Sequence, residues 1–286
     1  MKTKIDAALT AALARAEDGA PPRLAAALRY AVFPGGARIR PRLCLAVAEA
    51  CGDEEPTLVE AAACSIELLH CASLAHDDLP CFDDANLRRG KPSLHRVFGE
   101  PLAVLVGDAL IVLAFETLAR AGASAPERGM PLVAALARAA GSPRGLVAGQ
   151  AWEGEPSVQL EAYHQAKTCS LFTAAVMSGA LAAGRDPAPW RTMGERLGAA
   201  YQVADDLLDA LGPPDEAGKP TRQDATFGRP NAVALLGVDG AVARLRELVA
   251  QAAESVPPCP GAGPLRALAL QMAERLVPAG LKQSAA

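Results

Sequence analysis

The stretch His76-Asp77-Asp78-Leu79-Pro80-Cys81-Phe82-Asp83-Asp84-Ala85-Asn86-Leu87-Arg88-Arg89-Gly90-Lys91-Pro92-Ser93-Leu94 sets four acids one short turn ahead of three bases. Carboxylate oxygens suit magnesium, which is usually held by a few carboxylates together with substrate phosphates. Guanidinium forks suit phosphate oxygens, bidentately and without loss of charge. Acid then base in one loop therefore reads as a site for a metal-bridged phosphate. A solvated, charged turn explains these seven charges equally well, so the rest of the chain must decide.

Outward from this loop, the composition favours helix. Of 286 residues, 51% are hydrophobic but only 4% aromatic, and Ala, Leu, Arg and Glu are abundant while β-branched residues are few. The formal net charge of −4 argues against a broad nucleic-acid footprint, so any positive charge that matters is local. No secretory leader is expected, and the most apolar run, Pro101 to Ala119, is interrupted by Asp108 and Glu116, so no membrane span is expected either. Seven cysteines without a Cys-x-x-Cys resemble neither a zinc site nor a disulfide framework. Cys44/Cys51 and Cys64/Cys71 recur at two-turn helical spacing, as small buried hydrophobes do. A cytoplasmic, mainly helical protein is expected.

Helices are predicted over Ile5–Glu17, Leu24–Val32 and from Ala37 through Cys51, with stops at Asp18-Gly19-Ala20-Pro21-Pro22 and Pro34-Gly35-Gly36. Gly35 and Gly36 ahead of Arg38 and Arg40 offer an anion a close approach, although such a turn is usually only a turn. A long helix from Thr57 to His76 puts Asp77 and Asp78 on its last turn, where Pro80 ends it. Carboxylates at a helix C-terminus are unfavourable, so a nearby cation is expected to compensate. Pro101 to Arg120, apolar almost all round, is expected to be buried with Asp108 paired in the core. Breaks are expected near Pro126, Pro131 and Pro143, then a helix from Gly145 to Trp152 carrying Gln150 and a long one from Glu161 to Ala183 carrying Lys167 and Thr168.

The helix Trp190–Leu211 carries Gln202, Asp205, Asp206 and Asp209 just before Gly212-Pro213-Pro214. Asp205 and Asp209, four apart, share a face and repel unless a cation joins them. Lys219, Arg222 and Arg229 follow, so acids at a helix end again precede bases in a loop. Further helices are expected over 241–286, with 283–286 frayed. Two such units can face each other across a helical bundle, a known way of building metal sites. No nucleotide-binding glycine fingerprint, Walker loop or hydrolase elbow occurs.

Asp77-Asp78-Leu79-Pro80-Cys81-Phe82-Asp83 with Leu87-Arg88-Arg89-Gly90-Lys91-Pro92, and Tyr201-Gln202 ahead of Asp205-Asp206-Leu207-Leu208-Asp209, resemble the two aspartate-rich motifs of the all-trans polyprenyl diphosphate synthases. That family includes farnesyl and geranylgeranyl diphosphate synthases, and the motifs take its bacterial and plant form. His70, Gly149-Gln150, Lys167-Thr168 and Gly218-Lys219 fall in the family's order, and the resemblance covers nearly the whole chain. It implies an all-α bundle, one domain over 1–286 with a central substrate cavity, and a homodimer. It implies that Asp77, Asp83 and Asp205 hold three magnesium ions on an allylic diphosphate, with Asp209 acting through water, and that Arg88, Lys167 and Lys219 bind that diphosphate. Isopentenyl diphosphate is expected on Arg40, His70 and Arg89. Thr168, Gln202 and Lys167 are expected to face the allylic carbocation.

The chain also departs from the family pattern. Ala37 stands where a lysine contact to isopentenyl diphosphate is usual, Glu153 where Asp is usual, and Gly228-Arg229-Pro230-Asn231 where Gly-Lys-x-Thr is common; only Lys282 is basic near the end. One lost charge-assisted contact costs on the order of 1.5–3 kcal/mol. The product tail is expected to run from Asp77 back along Thr57–His76, past the small residues Ser73 and Ala72, with Leu68 and Leu69 as candidate floors. This favours a C20 product over C15. Two rivals are a non-catalytic partner subunit, suggested by Ala37, and a class I terpene cyclase, which the second aspartate motif and Arg88-Arg89 argue against.

Overall fold

A computed structural model describes residues 1–33, 35–52, 55–157, 160–211 and 231–276. It is almost wholly helical: α1 (Lys2–Glu17), α2 (Pro22–Val32), α3 (Ile39–Cys51), α4 (Pro56–Asp77), α5 (Leu94–Phe98), α6 (Glu100–Gly122), α7 (Pro126–Ala140), α8 (Leu146–Trp152), α9 (Leu160–His164), a π-helical turn (Gln165–Cys169), α10 (Ser170–Ala182), a short 3₁₀ turn (Ala188–Trp190), α11 (Arg191–Leu211), α12 (Ala232–Glu254) and α13 (Ala262–Leu276). Pro22, Pro56, Pro101 and Pro126 stand in first helical turns, where the missing N–H has no intrahelical partner to lose. Pro131, expected as a break, lies inside α7 without ending it.

The core is built around α4. It packs most extensively on α6 and also on α3 and α10, and the buried stripe Leu58, Ala62, Ile66 and Leu69 follows helical spacing. Cys44, Cys51, Cys64 and Cys71 are buried and form no disulfide with one another, as their spacing suggested. A smaller cluster joins Val203 and Leu207 of α11 to Leu245 and Leu248 of α12. By length and composition α4 and α6 could each cross a membrane; 78% of the apolar window in α4 is buried inside the fold but only 44% of that in α6.

That second figure corrects one expectation. Only one face of α6 packs on α4; Val104, Leu105 and Val112 are exposed, and Asp108 is exposed rather than paired in the core. The all-apolar pattern cannot distinguish a buried helix from one whose second face awaits another surface. The helix expected over Glu161–Ala183 is likewise not regular, because the π-turn interrupts it.

Candidate active site

A cavity of about 780 Å³ opens at the C-terminal ends of α4 and α11 and runs between α4, α6, α7 and α10. Its acidic mouth carries Asp77 and Asp83 on one wall and Asp205 and Asp209 on the other, with Arg88 and Lys167 beside them. Leu69, Ala72, Ile111, Phe115, Ala140 and Leu171 line apolar wall. Residues scattered from 40 to 209 are thus gathered into one charged mouth with an apolar throat.

The middle acid of the first cluster is not in the mouth. Asp78 caps α4, is buried, and its Oδ1 accepts from both Nε and Nη2 of Arg88 at 2.9 and 2.5 Å. The cation expected at the end of α4 is therefore, for Asp78, a protein guanidinium. Asp77 faces the cavity, where burial and then Asp83 push its carboxyl up to about 6 against the pull of Lys167. Asp84 turns outward to Arg96 at 2.9 Å. Among the described residues no three acidic, histidine or cysteine side chains converge as a closed metal cage. Carboxylates on opposite walls instead suit a hard cation that takes its remaining oxygens from substrate phosphate and water.

Leu87–Arg88 and Lys91–Pro92 form a two-stranded antiparallel hairpin in which Arg88 pairs with Lys91. Its turn residues, Arg89 and Gly90, both have positive φ (54° and 73°), as a two-residue hairpin requires. A non-glycine side chain held there is strained. The turn aims Arg89 at the face of Gly36, and its Nη2 lies 3.5 Å from His70 Nε2. Arg89 lines a small cavity of about 50 Å³ behind the hairpin rather than the main one.

Arg38 and Arg40 separate cleanly. Arg38 is buried, donates to Glu67 at 2.6 Å and Val32 O at 2.9 Å, and so belongs to the scaffold. Arg40 lines the cavity with its Cζ 4.5 Å from the Phe172 ring centroid and 5.2 Å from that of Tyr201. Burial lowers its pKa, and its Nε has no hydrogen-bond partner among the described residues. A guanidinium on the cavity wall fits an anion. Half-buried His70 is pushed well below its ordinary value by burial and by Arg40 and Arg89, which favours its neutral form.

Lys167 and Thr168 sit in the π-turn, a local irregularity often found at functional sites. A Cβ on Gly149 would lie 2.4 Å from Lys167 N, so α8 can press on this turn only through a glycine. Lys167 Nζ is 2.5 Å from Glu153 Oε1, and Glu153 also accepts from Tyr163 Oη and Gln150 Nε2. Thr168 Oγ1 donates to Gln202 Oε1 at 2.6 Å. Buried Asp206 accepts from Gln202 Nε2 at 2.9 Å and from Ala232 N at 2.8 Å.

Asp77, Asp83, Asp205, Asp209, Arg88, Lys167, Thr168, Gln202, Arg40, His70, Ala72, Ser73 and Leu69 thus line one cavity. Leu68 does not: it is fully buried, on the α4 face shared with Cys71 and Ala75, roughly 100° from Leu69. Lys219 and Arg229 lie outside the described residues. The buried clamps Asp78 and Asp206, and the anchors Glu153 and Tyr163, were not among the expected site residues. Helical spacing carried a hint of them, since Tyr163 precedes Lys167, and Gln202 precedes Asp206, by four residues.

The sequence profile described as polyprenyl synthetase matches residues 21–259. A geranylgeranyl diphosphate synthase of Cereibacter sphaeroides is 55% identical over 277 residues, covering 96% of both chains. One of Rhodobacter capsulatus is 51% identical, covering 96% of this chain and 95% of that one. Among solved structures, a Helicobacter pylori geranyltransferase complexed with magnesium and isoprenyl diphosphate superposes with a TM-score of 0.80 at 32% identity, covering 89% of each chain. The chain therefore belongs to the polyprenyl synthetase family and is a prenyltransferase, a short-chain prenyl diphosphate synthase.

Proposed function

We propose that the enzyme extends an allylic diphosphate with isopentenyl diphosphate to a C20 product, with C15 as the shorter alternative. The observation that carries this reading is one cavity with carboxylates and cations at its mouth and an apolar wall along α4, α6 and α7. Ala72 leaves that wall open one turn and more from Asp77. Leu69 lies eight residues from Asp77, about 12 Å along the helix, and Phe115 stands across from it on α6. These two side chains form the floor in this reading.

The residues divide the work as follows. Arg88, Lys167 and Lys219 seat the allylic diphosphate, and Asp77, Asp83 and Asp205, with Asp209 behind them, are the carboxylates for three magnesium ions. Bound there, magnesium neutralises charge on the leaving diphosphate. When the C1–O bond breaks, its electron pair leaves with diphosphate, and the oxygens of Thr168 and Gln202 face the allylic cation. Arg40, Arg89 and neutral His70 hold isopentenyl diphosphate with its double bond against C1. The new C–C bond forms from that double bond, and the proton lost passes to the departed diphosphate.

The same reading includes a cytoplasmic homodimer. Val104, Leu105 and Val112 along α6, with Met130 of α7, are exposed apolar side chains that a second copy can cover. The test of function is purified enzyme with magnesium, labelled isopentenyl diphosphate and each allylic primer from C5 to C15, followed by chromatography of the dephosphorylated products. A C20 alcohol is expected. A product ending at C15 replaces the proposed length, and no elongation from any primer rejects the condensation.

A further inference from the structure

We propose that Asp206 is a positioning residue: it fixes which way the Gln202 amide faces and, through it, which way the Thr168 hydroxyl points. The amide of Gln202 can present either its oxygen or its NH2 to a neighbour, and the two ends differ only in hydrogen-bonding character. Both oxygens of the Asp206 carboxylate are acceptors, one taking Gln202 Nε2 at 2.9 Å and the other Ala232 N at 2.8 Å. Only one orientation of Gln202 meets that carboxylate with its NH2, and it leaves the carbonyl for Thr168 Oγ1 at 2.6 Å. The Thr168 proton is thereby committed to Gln202. The hydroxyl's lone pairs are then free to face the cavity, which both Thr168 and Gln202 line.

This relay explains why the second aspartate cluster holds a carboxylate that never reaches the mouth. Asp206 is 2% exposed and does not line the cavity, whereas Asp205 and Asp209 on either side of it do. An allylic cation needs oxygen lone pairs near it and is harmed by a donor proton aimed at it, so the orientation of two neutral dipoles matters as much as their presence. Reversing the Gln202 amide would set its carbonyl against the Asp206 carboxylate and leave Thr168 without its acceptor. Asp206 also ties the first residue of α12 to α11, so the start of α12 supports the same relay.

The inference rests on the reading of Thr168 and Gln202 as the cation-facing groups. Its test is a cycle of Asp206→Asn, Gln202→Leu and the double variant, with kcat, KM for each substrate and the half-saturating magnesium concentration measured on the full-length enzyme. Each single change is expected to lower kcat about tenfold to a hundredfold. The double variant is expected to fall no further than the worse single one, with KM values and magnesium half-saturation changed by less than about threefold. Losses of kcat that multiply in the double variant, or a loss expressed as weaker magnesium use, overturn the role of Asp206. If Gln202→Leu and Thr168→Val both keep full kcat, the underlying reading of those two residues fails instead. Should the Asp206 variant not fold, the Thr168→Val and Gln202→Leu cycle tests the relay from its other end, where multiplying losses likewise overturn it.

Discussion

Arg88 grips one oxygen of Asp78 with both its Nε and its Nη2, so a buried acid of the first cluster holds a base of the same loop in place. Arg88 remains half-buried and on the cavity wall. The clamp therefore presets the guanidinium before any substrate arrives, which lowers the ordering cost of binding. Asp78→Asn keeps the shape but not the charge. It is expected to raise KM for the allylic diphosphate about tenfold, corresponding to roughly 1.4 kcal/mol, with a smaller effect on KM for isopentenyl diphosphate. Equal effects on both substrates would contradict this division.

Product length supplies a sharper test, because Leu68 and Leu69 are neighbours in sequence but only Leu69 reaches the cavity. Ala72→Phe is expected to stop products at C15 or shorter, and Phe115→Ala to allow products longer than those of the parent. Leu68→Met, in the core, is expected to leave the product distribution unchanged, read by chromatography of the dephosphorylated alcohols.

Ala37 is exposed, so a longer side chain fits there without disturbing the core. Ala37→Lys restores the family's usual residue and is expected to lower KM for isopentenyl diphosphate about tenfold, on the scale of one charge-assisted hydrogen bond. No change in KM would mean that this site obtains its full cationic contact from Arg40 and Arg89.

His164 gives a stability prediction with a definite sign. Burial lowers its pKa from 6.5 to about 4, so between these values the unfolded chain binds the extra proton and the folded one does not. Its neutral form fits the fold fully above pH 6.5, and stability is lost as pH falls from there towards about 4. At pH 5 the loss is on the order of 1–2 kcal/mol. Comparing melting temperatures of the parent and His164→Gln at pH 7.5 and pH 5 isolates it: the parent is expected to lose more. Parallel shifts in the two proteins would remove His164 as the cause.

Val112→Glu tests the proposed second copy. The side chain is 66% exposed on the bare face of α6, so the charge is tolerated by the monomer fold. Sedimentation is expected to show a dimer for the parent and dissociation for the variant. A parent that sediments as a monomer rules the dimer out.

The legible parts of this molecule were those written locally. Prolines at helix starts, glycine-rich stops and the aspartates at helix ends could be read one segment at a time. So could the burial of Cys44, Cys51, Cys64 and Cys71. What could not be read depends on contacts between distant segments. The π-turn exists where Gly149 of α8 presses on the Lys167 backbone, and no periodicity in 161–183 announces it. The exposed face of α6 was misread because an apolar stripe looks the same whether the surface that covers it lies inside the chain or outside it. Leu68 was misplaced because counting turns back from Asp77 gives depth but not direction.

The π-turn also bears on how this enzyme tolerates changes in chain length. Five residues, Gln165–Cys169, close a turn that a regular helix closes with fewer, so α9 and α10 are out of phase across it. Removing one residue from that turn would let the helix run on in unbroken phase, with better backbone geometry and greater intrinsic stability. It would also swing Lys167 or Thr168 off the cavity wall. A regular helix and a complete site are therefore alternatives at this turn, and the enzyme keeps the site.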